Sequence, residues 1–107
     1  NEMYFIYKAD KAIGYAAIEK KGDALKLDKI YIHPDLQGSG RGSEVMHFIE
    51  ERARELQAKE ITLRVNRGND PAIRFYKNRG FKVERSIDFP GPDGYLYEDC
   101  LMTKIIA

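Results

Sequence analysis

With 107 residues, 43% of them hydrophobic and 33% charged, the chain is long enough for one domain with a real core and too apolar for a disordered one. A net charge of +1 argues against the basic field that recruits nucleic acid or an anionic membrane, and no apolar run reaches the length of a membrane span. No signal-peptide pattern opens the chain, and the single Cys100 cannot close an internal disulfide, which fits a reducing cytoplasm.

The chain opens at Asn1 rather than Met and enters a strand-like run almost at once, which points to further sequence upstream. Tyr4 to Lys8 is rich in aromatic residues and predicts a strand. Ile13 to Glu19 is its hairpin return across Ala9 to Ala12, and Gly14 marks a bend or a close backbone approach. Lys20 to Asp23 is a turn, and Leu25 to Ile32 is a third antiparallel strand. Leu25 and Leu27 alternate, as do Ile30 and Ile32, but the two pairs are out of phase across Asp28-Lys29. A one-residue slip turns side chains to the other face, and a β-bulge is the device that absorbs it. The pattern therefore predicts a bulge near Asp28 to Ile30, with backbone donors left unpaired; a plain two-sided strand is the alternative.

Beyond His33-Pro34 comes Gln37-Gly38-Ser39-Gly40-Arg41-Gly42-Ser43 and then an amphipathic segment. That order is strand, glycine loop, helix. Glycines let the backbone approach a ligand, and the amides of the loop and of the first helical turn favour an anion. No Gly-Lys-Ser/Thr closes the loop as in a Walker A motif, and Ser43 stands where G-x-G-x-x-G needs Gly or Ala. The pattern present is Gln-x-x-Gly-x-Gly on Gln37, Gly40 and Gly42; alone, it is either an anion cradle or a turn.

Val45, Met46, Ile49, Ala53 and Leu56 recur at helical spacing and predict a helix over Arg41 to Gln57. Glu50, Glu51, Arg52, Arg54 and Glu55 fill its outer face, with Glu50 and Arg54 as an i,i+4 pair. Ile61 to Asn66 alternates as a strand. Asp70 is the expected N-cap of a second helix, with Pro71 at its first position and Gly80 just past its end. Phe81 to Ile87 is a strand, Phe89 to Gly94 a turn, and Tyr95 to Ile106 a closing strand, irregular in its middle. The order is βββ-α-β-α-ββ. It predicts one α/β (α+β) domain over residues 1–107, with a mixed, mostly antiparallel sheet and one parallel pair flanking the glycine-loop helix. His33 and His47 lack metal-ligand spacing, so no metal site is expected. Cys100 reads as buried filler rather than a nucleophile.

A second motif joins the glycine loop. Leu63, Val65, Asn69, Ala72 and Tyr76 keep the spacing L-x-V-x-x-x-N-x-x-A-x-x-x-Y, and Phe75 to Phe81 reads F-Y-x-x-x-G-F. With Gln37, Gly40 and Gly42 ahead of it, this set resembles the GNAT superfamily of acyl-CoA-dependent N-acyltransferases over nearly the whole chain. Leu27 to Ile32 is similar to that family's fourth strand, bulge included.

The resemblance implies transfer of an acetyl group from acetyl-CoA, as co-substrate, to a primary amine in a ternary complex. It implies that Gln37, Gly38, Ser39, Gly40, Arg41, Gly42 and Ser43 hold the pyrophosphate. The backbone of Ile30, Tyr31 and Ile32 would align the pantetheine like an added strand, where the parallel strands splay. Asn69, Ala72, Phe75 and Tyr76 would meet it from the second helix. An unpaired N–H near the bulge would polarise the thioester carbonyl. Tyr76 is the implied general acid, against the alternative of a core tyrosine. Asp28 is either a base acting through water or an exposed strand carboxylate. Glu98 and Asp99 would attract a cationic acceptor. Family domains usually begin with a strand and two helices ahead of the element that starts here at Tyr4. A further segment, or a second copy in a homodimer, would then complete the site for a small-molecule or peptide amine. The competing reading is an acyl-CoA-binding or regulatory module. Scattered Lys and Arg argue against a nucleic-acid binder.

Overall fold

Eight elements follow in the order β1 (Glu2–Lys8), β2 (Lys11–Lys21), β3 (Ala24–Ile32), α1 (Arg41–Glu55), β4 (Glu60–Asn66), α2 (Asp70–Asn78), β5 (Lys82–Pro90) and β6 (Leu96–Ile105). The computed structural model describes the backbone of residues 2–8, 11–32 and 41–106, and the side chains of residues 14–28 and 43–106. The six strands form one sheet in the order β1-β2-β3-β4-β6-β5. β3 and β4, joined across α1, run parallel; the other neighbouring pairs are antiparallel. The mixed sheet and its single parallel pair agree with the expected element order.

Strand periodicity decides which side chains enter the core. Ala16 and Ile18 on β2, Leu25 and Leu27 on β3, Ile61, Leu63 and Val65 on β4, and Cys100 and Met102 on β6 are all buried on one face. Val45, Met46, Ile49 and Ala53 of α1 cover that face, and Tyr76 of α2 joins the same cluster. The alternate residues Lys26, Thr62, Arg64, Asp99 and Leu101 belong to the opposite face.

The phase slip in β3 is a bulge. Ala17 pairs with Lys29 but Ile18 pairs with Leu27, so Asp28 is the extra residue. A second register shift leaves Ile13 unmatched beside Gly14, where a bend was expected. The irregularity expected in the closing strand lies instead in its partner. Val83 pairs with Met102 and Arg85 with Leu101, leaving Glu84 extra on β5. An exposed edge strand absorbs an added residue more easily than an inner one. β5 also runs past Ile87 to Pro90, because Phe89 stacks on Tyr97 with ring centroids 5.1 Å apart. The turn is displaced to Gly91, whose N–H donates to the Tyr95 carbonyl at 2.7 Å; a side chain there would collide with the Tyr97 ring.

The N-cap of α2 is Asn69 rather than Asp70. Asn69 Oδ1 accepts from the Ala72 N–H at 3.3 Å, and Asp70 falls in the first turn, where its charge suits the helix dipole. Gly80 closes the helix with φ +96°, a left-handed conformation that favours glycine, and the Phe81 N–H donates to the Tyr76 carbonyl at 3.0 Å. α1 ends at Glu55, two residues short of the expected Gln57.

Glu50 departs furthest from its expected place. It is 6% exposed, not on the solvated face, and its partner is not Arg54. Glu50 Oε2 accepts from Arg79 Nη2 at 2.9 Å, and Oε1 accepts from Lys104 Nζ at 2.9 Å. One carboxylate thus joins α1, the end of α2 and β6. Burial pushes its pKa up, but the hydrogen bonds and charges of Lys104 and Arg79 outweigh that and hold it below its ordinary 4.5. A depressed carboxyl pKa stabilises the fold above the unfolded value, and that contribution is lost as pH falls through the folded value. Glu50→Gln is therefore expected to cost on the order of 1–3 kcal/mol at pH 7, since two cations lose their counter-charge. In urea titrations the gap to the unsubstituted protein should narrow steadily below about pH 4.5.

Candidate active site

The parallel ladder between β3 and β4 pairs Ala24 to Leu27 with Glu60 to Leu63, and among the described residues it goes no further. Both strands continue, β3 to Ile32 and β4 to Asn66. Each keeps its outer partner: β2 pairs with β3 as far as Gly14 with Ile32, and β6 pairs with β4 as far as Asp99 with Asn66. The strands therefore part on their shared side just where Asp28 bulges. The β4-facing backbone of Ile30, Tyr31 and Ile32 lies along that opening; their side chains lie outside the described residues. The Asp28 side chain is only 26% exposed, and much of the residue's accessible surface is main chain.

Tyr76 sits on the helix-bearing side. It is 8% exposed, with Phe75 and Phe81 edge-on to it at centroid distances of 5.4 and 5.6 Å. Burial raises its pKa above the usual phenol value of 10.0. No hydrogen bond to its hydroxyl is made among the described residues. Ala72 and Phe75 are half-buried against the same core, and Asn69 caps the helix that carries them all. Arg41, Gly42 and Ser43 form the first turn of α1, with Ser43 exposed. Gln37, Gly38, Ser39 and Gly40, the rest of the expected pyrophosphate loop, lie outside the described residues, as does the side chain of Arg41.

The opposite face of the sheet carries a cleft of about 330 Å³ at the point where the strands part. Lys26, Leu27 and Asp28 of β3, Thr62, Leu63 and Arg64 of β4, and Asp99 and Leu101 of β6 line it. Lys26 Nζ lies 3.3 Å from Asp28 Oδ1, and Arg64 Nη2 lies 3.6 Å from Asp99 Oδ2. The Arg64 guanidinium also lies over the Phe89 ring, 4.4 Å from its centroid. Arg67 Nη2 approaches Asp88 at 2.9 Å and Glu98 at 3.4 Å. Asp99 and Glu98, expected to attract a cation, are thus each met by an arginine. Lys26, Thr62 and Arg64 were not singled out from the sequence. Their alternation with Leu27, Ile61 and Leu63 was the available signal for a shared face. Among the described residues, no group of His, Cys, Asp or Glu could hold a metal ion, and no helix is long and apolar enough to cross a membrane.

The profile of the acetyltransferase (GNAT) family matches residues 1–81. An uncharacterised N-acetyltransferase of Mycobacterium tuberculosis (strain H37Rv) is 32% identical over 80 residues, which are 74% of this chain and 51% of that protein. The peptidyl-lysine N-acetyltransferase YjaB of Escherichia coli (strain K12) is 32% identical over 78 residues, 73% of this chain and 47% of its own. The chain thus spans about half the length of these relatives. Among solved structures, a GNAT family acetyltransferase from Elizabethkingia anophelis with acetyl-CoA bound has a TM-score of 0.84 at 14% identity. The likeness covers 97% of this chain and 75% of that one, and shows the shared fold.

Cys100 lies on the helix-covered face of β6 and is 2% exposed. Burial pushes its thiol pKa up, and the neighbouring Asp99 adds to the effect. Both make the thiolate scarce. In the folded protein at pH 8, its reaction with an aromatic disulfide reagent should be at least about a hundredfold slower than in denaturant.

Proposed function

The chain belongs to the acetyltransferase (GNAT) family, and we propose on that basis that it transfers an acetyl group from acetyl-CoA to a primary amine by direct attack in a ternary complex. The observation that carries the reading is the gap where β3 and β4 part at the Asp28 bulge. It exposes main-chain groups of β3 to an extended ligand, which can hydrogen-bond there as an added strand would. We assign the pyrophosphate to Gln37, Gly38, Ser39, Gly40, Arg41, Gly42 and Ser43, the last three of which open α1, whose N-terminus favours an anion. Residues 1–107 form one domain in this reading. A cytoplasmic setting suits it, since the donor is abundant there and the Cys100 thiol is free.

The chemistry follows from the groups at hand. An ammonium acceptor with a pKa of about 10.4 gives up a proton, through water, to Asp28. Its nitrogen lone pair attacks the thioester carbonyl, and an N–H at the bulge meets the growing oxyanion charge. The C–N bond forms, the C–S bond breaks, the sulfur leaves with the electron pair, and the second proton on the nitrogen passes to solvent. Tyr76 donates to that sulfur. Its raised pKa keeps the hydroxyl protonated and makes complete proton release to a thiol of pKa about 8.5 uphill, so a strong hydrogen bond is the main contribution and solvent supplies the proton.

A second reading, an acyl-CoA-binding module without transfer, rests on the cleft carboxylates Asp28 and Asp99, which already have cationic partners in Lys26 and Arg64. Calorimetry with acetyl-CoA, followed by thiol release with an amine panel, separates the two. Transfer predicts both signals. Binding without amine-dependent thiol release would leave the module. Under the transfer reading, Tyr76→Phe should lower kcat by about 10- to 100-fold with acetyl-CoA affinity little changed. Full turnover in that variant would remove Tyr76 from the mechanism.

A further inference from the structure

The charges of the cleft point to one kind of acceptor. Its lining carries two cations, Lys26 and Arg64, and two carboxylates, Asp28 and Asp99, so its formal charge is zero. Leu27 and Leu63 are the last paired residues of β3 and β4, so Asp28 and Arg64 are the first residues past the parting. They face one cleft yet form no ion pair with each other. Asp28 is held by Lys26, while Arg64 is held by Asp99 and by the Phe89 ring. A carboxylate on β3 and a guanidinium on β4 are thereby fixed on opposite walls of the opening between those two strands.

Resting on the transfer reading above, we propose that the acceptor is a zwitterion, a primary amine with a carboxylate a few bonds away. Its ammonium is held at Asp28 and its carboxylate at Arg64. A purely cationic acceptor would approach Lys26 as well as Asp28 and would leave Arg64 without a new partner. A zwitterion adds a second partner to both Asp28 and Arg64 and leaves the formal charge of the cleft at zero. The planar guanidinium has five N–H donors, of which the contact with Asp99 uses the Nη2 side, so it can take a second carboxylate. Stacking on Phe89 fixes its plane beforehand, which lowers the ordering cost of binding. In the transfer step one ammonium proton passes to Asp28, and the C–N bond forms as C–S breaks. CoA leaves as the thiolate and takes a proton from solvent, and the second nitrogen proton goes to solvent. The acceptor carboxylate is unchanged, so the product is an N-acetylated acid.

The test compares amino acids with the amines that lack their carboxyl group: L-alanine with ethylamine, 4-aminobutyrate with propylamine, L-lysine with cadaverine. Thiol release from acetyl-CoA gives kcat/KM for each. At least one acid should exceed its matched amine by about tenfold or more, the scale of one charge-assisted contact. Arg64→Gln should bring that ratio close to one, while Arg64→Lys should retain part of it. Amines acetylated as well as or better than every matched acid would overturn the proposal and leave the transfer reading standing. Acetyl-CoA binding with no release for any amine would overturn both. The comparison in the unsubstituted protein decides the matter even if the Arg64 variants do not fold.

Discussion

A parallel ladder that stops after four residue pairs is the constraint on which the rest of the site depends. Two adjacent strands that cease to pair ordinarily cost stability, because each leaves backbone groups without partners. Here the gap is supported from outside. β2 holds β3 through Ile32, and β6 holds β4 through Asn66, so neither strand can swing across to close it. The extra residue Asp28 adds the local twist that turns β3 away. The opening is therefore a fixed feature of the sheet rather than a frayed end. Its unpaired main-chain groups suit a ligand able to bond along a strand.

The helices then have to be placed accurately against that opening. α2 has nine residues, too few to persist alone in water. Its start is tied by Asn69 and its end by Gly80, but caps orient a helix without fixing where it lies. Tyr76 and Phe81 anchor one side in the core. Arg79 ties the last turn to Glu50 of α1, and Lys104 ties the same carboxylate to β6. Three elements meet on one buried charge. Such a contact contributes less to net stability than its Coulomb energy suggests, because desolvation opposes it. Its directional hydrogen bonds do restrict how α2 can rotate, and with it the ring of Tyr76.

What was legible in the sequence was what short-range patterns encode. Alternation and helical spacing gave the element order, and a phase slip of one residue gave the bulge. The N-cap was assigned one residue late because Asn69 and Asp70 are both good caps, and only the Ala72 hydrogen bond distinguishes them. Glu50 follows Ile49 at the border of the apolar stripe of α1, where a helical wheel cannot separate an exposed acid from a buried one. Its partners lie 29 and 54 residues away in the chain. The cleft was hidden for a similar reason. Lys26, Thr62 and Arg64 read as the solvent side of half-buried strands, and only the sheet order puts them beside Asp99.

That sheet order also changes what the acidic residues of β6 can do. Glu98 and Asp99 would draw any cation if they stood alone. Arg67 and Arg64, both contributed by β4 and the residues just after it, sit against them. The acids and the arginines are interleaved because β4 and β6 are antiparallel neighbours over seven residue pairs. Opposite charges at this spacing cancel at long range, in keeping with a net charge of +1, and leave a field that varies only over the size of a small ligand. Such a cleft distinguishes small charged ligands by where their charges lie relative to each other, not by how many they carry.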